Sequence, residues 1–169
     1  MKKKPAANNP SLHVYTTTLD FIMSNETIAA AIKPVNITRY DDPKRVNQLW
    51  KPSLAPADLP DFIFQQIGFA KNRHSSHEHV EQYDFQAVIT TSEWKISHAY
   101  IPHAMIDWIY TANQTGRMHK LDWGQYRRFY KTEVLPMQIA NYRPENRNLQ
   151  GFVYAFTFNV QLSAFIGEQ

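Results

Sequence analysis

Apolar and polar residues alternate most regularly near the end of the chain, over residues 150–164, QGFVYAFTFNVQLSA. Phe152, Tyr154, Phe156, Phe158, Val160 and Leu162 share one parity, and Val153, Ala155, Thr157, Asn159, Gln161 and Ser163 share the other. A period of two predicts a strand with one aromatic and aliphatic face. Such a face stabilises a fold only when another layer covers it, so helices are expected on top of it. The stretch is longer than the usual strand of roughly 5–6 residues, and part of it is expected to reach past its own sheet toward another subunit.

Earlier in the chain the period changes. Leu12, Tyr15, Leu19, Ile22 and Met23 recur at helical spacing behind Ser11, which is read as the N-cap. Ser24 and Asn25 then interrupt, and Ile28, Ala29 and Ile32 carry a second helical piece that Pro34 ends. Residues 35–40 suit a short strand. Residues 41–60 hold Pro43, Pro52, Pro56 and Pro60 with little periodicity and read as a long contact loop, anchored by Leu49 and Trp50.

Residues 61–70, DFIFQQIGFA, read as a strand with Phe62 and Phe64 on one side and Ile63, Ile67 and Phe69 on the other. A polar loop is expected over 71–80. Residues 81–91 form the next strand, with Tyr83, Phe85, Ala87 and Ile89 facing one way, and the two strands make an antiparallel hairpin. Ile101, Ala104, Met105, Trp108, Ile109 and Ala112 then give the cleanest helical stripe, with Pro102 in its first turn and Gly116 as its stop. Residues 134–141 predict a strand near an edge, because Pro136 cannot donate to a ladder, and residues 141–148, NYRPENRN, predict a turn into the last strand. The order is helix, hairpin, helix, hairpin. It predicts an α+β fold with two helices packed on one face of a mainly antiparallel four-stranded sheet.

Composition narrows the classes without choosing one. At 169 residues, 43% hydrophobic and 14% aromatic, the chain has the size and apolar content of one globular domain. Residues 1–10 read as a disordered arm, and 11–169 as a single domain. The basic start is followed by no apolar run, so neither a secretory signal nor a membrane contact is expected. A net charge of +3 permits an acidic partner but lacks the force of a nucleic-acid-binding stripe, and the absence of cysteine removes disulfides and thiolate metal sites.

Three groups of residues invite chemistry. His74, His77 and His79, with Glu78 and Glu81 beside them, offer metal-ligating side chains, but H-x-x-H-x-H matches no helix face; a metal site or a metal hydrolase built on them is the reading least favoured. In residues 117–131, Arg117, Lys120, Arg127, Arg128 and Lys131 alternate with Trp123, Tyr126, Phe129 and Tyr130. Cations interleaved with rings suit a solvated surface, a protein interface or nucleic-acid phosphates. Trp50, Arg117, Trp123, Tyr126, Arg127 and Arg128 are therefore the candidate protein-interface residues. Acid–base catalysis has little to stand on, since Asp20, Asp84, Asp107 and Asp122 are scattered and no G-x-S-x-G, H-E-x-x-H or P-loop occurs. No enzyme activity, catalytic residue, metal or cofactor is expected.

The broken first helix, the proline-marked loop ending in ADLPDFIFQQIGF, the strand YDFQAVITTSEW, the helix IPHAMIDWIYTANQTG and the hairpin ending in LQGFVYAFTFNVQL together resemble the tail terminator or tail-completion proteins of tailed bacteriophages. The resemblance spans residues 11–165 and rests on element order and hydrophobic pattern. It implies a structural protein made in the host bacterial cytoplasm and placed in the virion at the head–tail junction. There it forms a ring of its own copies, typically a hexamer, that caps the tail tube protein, stops tube polymerisation and meets the neck or connector protein. Genomic DNA would only pass through the lumen. A neck or head-completion protein of the same virion is the nearest alternative, and a nucleic-acid-binding module using Arg117, Arg127 and Arg128 a more distant one.

Overall fold

The computed structural model describes residues 9–34, 37–38, 60–92, 98–142 and 151–165. The predicted loop over 41–60, Trp50 included, lies outside them except for Pro60, and the predicted arm over 1–10 lies outside them except for Asn9 and Pro10, which open the first helix. Helix α1, Pro10–Met23, starts one residue before the expected N-cap: Asn9 caps it, its Oδ1 accepting from Leu12 N at 3.1 Å, and Pro10 takes the first position, where no N–H is required. Asn25 repeats the device for α2, Glu26–Ala31, accepting from Ile28 N at 3.1 Å, so the predicted break at Ser24 and Asn25 is a change of cap. Helix α3, Tyr100–Thr115, ends at Gly116, whose φ of 75° is the left-handed C-terminal turn that only glycine adopts without strain.

Six strands build one sheet: β1 Ile37–Thr38, β2 Asp61–Arg73, β3 Glu78–Ser92, β4 Arg128–Val134, β5 Gln138–Tyr142 and β6 Gly151–Phe165. The order across it is β1-β2-β3-β6-β4, and β5 pairs with β6 beyond the end of β4, so β4 and β5 share the fifth position. All pairings are antiparallel except the short parallel contact of β1 with β2. The class is α+β as expected, with the strand count raised from four. The predicted strand over 134–141 is realised as β5, with only Val134 falling in β4 and Pro136 between the two, and most of β4 lies in the basic and aromatic segment that was not expected to be a strand.

Two other expectations change. The loop over 71–80 shrinks to residues 74–77, since β2 runs to Arg73 and β3 starts at Glu78; polar side chains do not stop a hairpin whose backbone is paired. The last strand is no edge. It lies in the sheet interior, paired with β3 from Gly151 to Phe165 on one side and with β4 and β5 as far as Ser163 on the other, which leaves little of it to reach past its own sheet.

The helices cover one face. Phe62, Phe64, Tyr83, Phe85, Ala87, Ile89, Phe129, Tyr154, Phe156, Phe158, Val160 and Leu162 join Val14, Tyr15, Ile22, Ile28, Met105 and Ile109 in one buried cluster. Rings link its strands: Phe64 stacks on Phe85 at 5.1 Å and on Phe158 at 6.1 Å between centroids. Tyr15 packs against Phe64 and donates its hydroxyl to the Phe64 carbonyl at 2.7 Å, which fixes α1 on β2. Trp108 of α3 stacks on Phe21 of α1 and donates Nε1–H to its carbonyl at 2.9 Å. The opposite face carries amides, with Gln65 donating to Gln86 at 2.7 Å and Gln161 to Asn159 at 3.1 Å.

This division into faces is testable. Phe158→Ala removes a ring in the centre of the cluster and should cost about 3–5 kcal/mol in urea unfolding, against less than about 1 kcal/mol for Thr157→Ala on the amide face. Equal losses from the two would sink the assignment.

Candidate functional site

The basic and aromatic segment does not form the exposed strip that its alternation suggests. After a short 3-10 helix, Arg117–Lys120, the chain turns at Gly124, φ 67°, and carries its rings inward. Trp123 and Tyr126 are 5% and 7% exposed. Trp123 donates Nε1–H to the Met118 carbonyl at 2.7 Å, and the Tyr126 and Tyr83 hydroxyls meet in a hydrogen bond. Burial pushes the Tyr126 phenol far above its ordinary value and, to a smaller extent, Tyr83 as well, so both stay protonated. These two rings are core residues of this chain and are withdrawn from the interface set. Arg117 lies 4.7 Å from the centroid of the Trp108 ring, on the helical layer and apart from Arg127 and Arg128.

Arg127 and Arg128 meet Glu78, which the sequence separates from them by about fifty positions. Glu78 opens β3 opposite Phe165 of β6. Its carboxylate lies 3.5 Å from Arg128 Nη2 and 3.9 Å from Arg127 Nη1, with the acid 11% exposed and the guanidiniums 53% and 45%. The Ser163 hydroxyl is the largest influence holding the Glu78 carboxyl below its ordinary value, although Ser163 Oγ, fully buried, makes no hydrogen bond of good geometry. Burial pushes the other way, and Arg128, Arg127 and His74 add to the lowering. Sequence reading placed Glu78 beside histidines as a metal neighbour; the partners that define it come only from the register of β3, β6 and β4.

The three histidines separate. His74 sits at the hairpin tip with its ring edge-on to Tyr130 at 5.1 Å, His77 is exposed, and His79 lies within β3, 3.4 Å from Glu81. Among the described residues no group of three His, Cys, Asp or Glu side chains is placed to hold a metal. The carboxylates named from sequence stay apart: Asp20, Asp107 and Asp122 are exposed, and Asp84 accepts from Gln82 at 2.8 Å. Among the described residues are two open depressions. One of about 270 Å³ is bordered by Asn25, Thr27, Ala104, Asp107, Trp108 and Thr111. The other, of about 240 Å³, lies between Pro10, His13, Trp123, Gly124 and Gln125. Neither gathers converging ionisable groups.

The sheet borders hold exposed apolar side chains instead. Beyond Ile63, the outer side of β2 has no strand partner among the described residues, and the same is true of the outer side of β4 and β5. Between Gln66 and Gly68 the register shifts, which turns Ile67 out and places Phe69 opposite Tyr83, on the helix-covered side with Phe62 and Phe64 and not with Ile63 as expected. Ile67 and Phe69 are each half exposed. On the opposite border Leu135 and Ile139 are 54% and 56% exposed. Exposed apolar residues beside unpaired backbone are the ingredients of strand-mediated docking.

No protein-family model matches this chain, and no curated protein matches it. Among the described residues no helix is long and apolar enough to cross a membrane.

The Glu78 cluster predicts a pH dependence. Its folded carboxyl titrates below the ordinary value of 4.5, so its ionised form contributes stability that is present above that pH and lost as pH falls through the folded value. Glu78→Gln should therefore be less stable than the parent near pH 7, and the gap between their urea midpoints should shrink as the pH is lowered progressively below 4.5. A gap that stays constant over that range would show that Glu78 contributes nothing through its charge.

Proposed function

We propose that this chain is a structural subunit of a tailed bacteriophage, forming a ring of its own copies that caps the tail tube at its head-proximal end and joins it to the neck. The observation that carries the assembly reading is the pair of borders on opposite sides of one sheet that, beyond Ile63 on β2 and along β4 and β5, have no strand partner among the described residues, each with exposed apolar side chains. Two different borders on one subunit suit a heterologous contact, in which one edge of each copy meets the other edge of the next, and repetition closes a ring when the rotation permits. The phage role is supported by the order of elements: a capped and broken first helix, a long hairpin, a covering helix and a closing antiparallel pair. Six copies follow from that likeness and would act without chemistry, through shape alone. Partners are then the tail tube protein below, the neck protein above and the neighbouring copies at the sides.

Light scattering on the full chain, alone and with tail tubes, tests this. The expected particle has about six times the 19.8 kDa chain mass, or appears in electron micrographs as a cap on tube ends. Ile67→Lys on one border and Ile139→Lys on the other should each shift the population toward monomer, because a charge would be buried in the contact. Tyr110→Lys, on the exposed side of α3, should leave assembly intact. Monomer under all conditions, with no capped tubes, would overturn the proposal, and a loss caused equally by Tyr110→Lys would move the contact to the helical layer.

A further inference from the structure

The hairpin end of the sheet gathers cations and rings that ring closure does not use. Glu78 approaches both Arg127 and Arg128, and the Arg127 guanidinium lies 4.2 Å from the centroid of Phe165. The strand end is rigid at this point: Arg127 N donates to the Ser163 carbonyl at 2.8 Å, while His74 N and Ser75 N donate to the Glu78 carbonyl at 3.0 and 2.9 Å. The His74 ring meets Tyr130, which the β4 register shift turns out and leaves 38% exposed. Arg73 donates Nε–H to the Ser75 carbonyl at 3.2 Å and so stays at the same tip. Lys131, by contrast, is held by Glu133 at 2.6 Å.

We infer that this end of the sheet is a contact site for the phosphodiester backbone of a single-stranded nucleic acid. Each guanidinium has five N–H donors, and a contact to Glu78 occupies one on each, so most of the donors of Arg127 and Arg128 remain available to a ligand. The carboxylate and the Phe165 ring hold the forks in place beforehand, which lowers the entropy lost on binding, and planar forks match phosphate oxygens. Two arginines, Arg127 and Arg128, share one acid, and Arg73 lies at the hairpin tip, so this end of the sheet keeps a positive excess. Exposed Tyr130 with His74 adds a surface on which a base can stack. Those rings favour nucleic acid over an acidic protein segment, which needs cations alone.

The test is fluorescence anisotropy of a labelled twenty-nucleotide oligo(dT) with the full chain, with the assembly state measured in the same samples so that ring formation and binding are read separately. Three phosphate contacts predict affinity falling about 20-fold between 50 and 200 mM salt. The Arg127→Gln/Arg128→Gln double variant should lose at least about tenfold in affinity at 50 mM salt, and Tyr130→Ala about tenfold. Lys33→Gln, exposed just past the C-cap of α2, should stay within about twofold. Circular dichroism and urea unfolding report whether each variant is folded; if the double variant is not, Tyr130→Ala and the salt slope carry the decision. Absence of binding at 50 mM salt, unchanged affinity in folded variants, or displacement of the oligonucleotide by polyglutamate as readily as by unlabelled oligonucleotide would overturn the inference.

Discussion

The fold depends on one strand that must be covered on a face and paired on both sides. Strand β6 presents Tyr154, Phe156, Phe158, Val160 and Leu162 to the helices, all nearly inaccessible to solvent. At roughly 1.5–3 kcal/mol for each large apolar side chain buried, this one face outweighs any single polar contact in the molecule. Its length sets the length of β3, which runs beside it throughout, and β3 in turn sets that of β2. The helices follow from the same requirement. Tyr15 reaches β2 through both its ring and its hydroxyl, and Trp108 fastens α3 to α1, so the cover is tied to the sheet and to itself.

Much of this could be read from the chain, because the signals were local and periodic. The parity of β6 and β3, the stripe of α3, the break at Ser24 and Asn25 and the stop at Gly116 each needed only neighbouring residues. What escaped reading depended on register or on distant partners. A single extra residue at Ile67 moves Phe69 to the opposite face from the one its parity implies, and no composition rule marks where such a shift falls. Trp123, Tyr126 and Phe129 were read as an exposed alternation with arginines. Their spacing of three was the signal that they turn inward together, once Gly124 permits the bend. Glu78 could not be interpreted at all without knowing that β4 returns beside β6 at that end of the sheet.

The two faces of the sheet then divide the work. The apolar face packs on the helices over most of its area, while the opposite face bonds Gln65 to Gln86 across two strands and Gln161 to Asn159 along β6. With the helix-covered face closed, the exposed apolar residues of the sheet are confined to its borders, at Ile67 and Phe69 on one side and Leu135 and Ile139 on the other. Contacts of the kind proposed would therefore be made by edges.

Open edges carry a hazard, since any exposed ladder can accept an unrelated strand. Both borders interrupt themselves in ways that limit this. On β2 the extra residue at Ile67 bends the strand, so its far half cannot continue a flat ladder begun by its near half. On the other side Leu135 N still donates to the Thr157 carbonyl at 2.9 Å, holding the chain against β6, but Pro136 brings no N–H and separates β4 from β5. A partner strand must therefore choose β4 or β5 and cannot run along both. That restriction shortens the usable edge to a few residues and makes the apolar side chains flanking it decide whether a contact forms. A border built this way disfavours indefinite strand addition, and in the proposed ring it would leave shape to select the neighbour, which is what separates a closed assembly from a fibre.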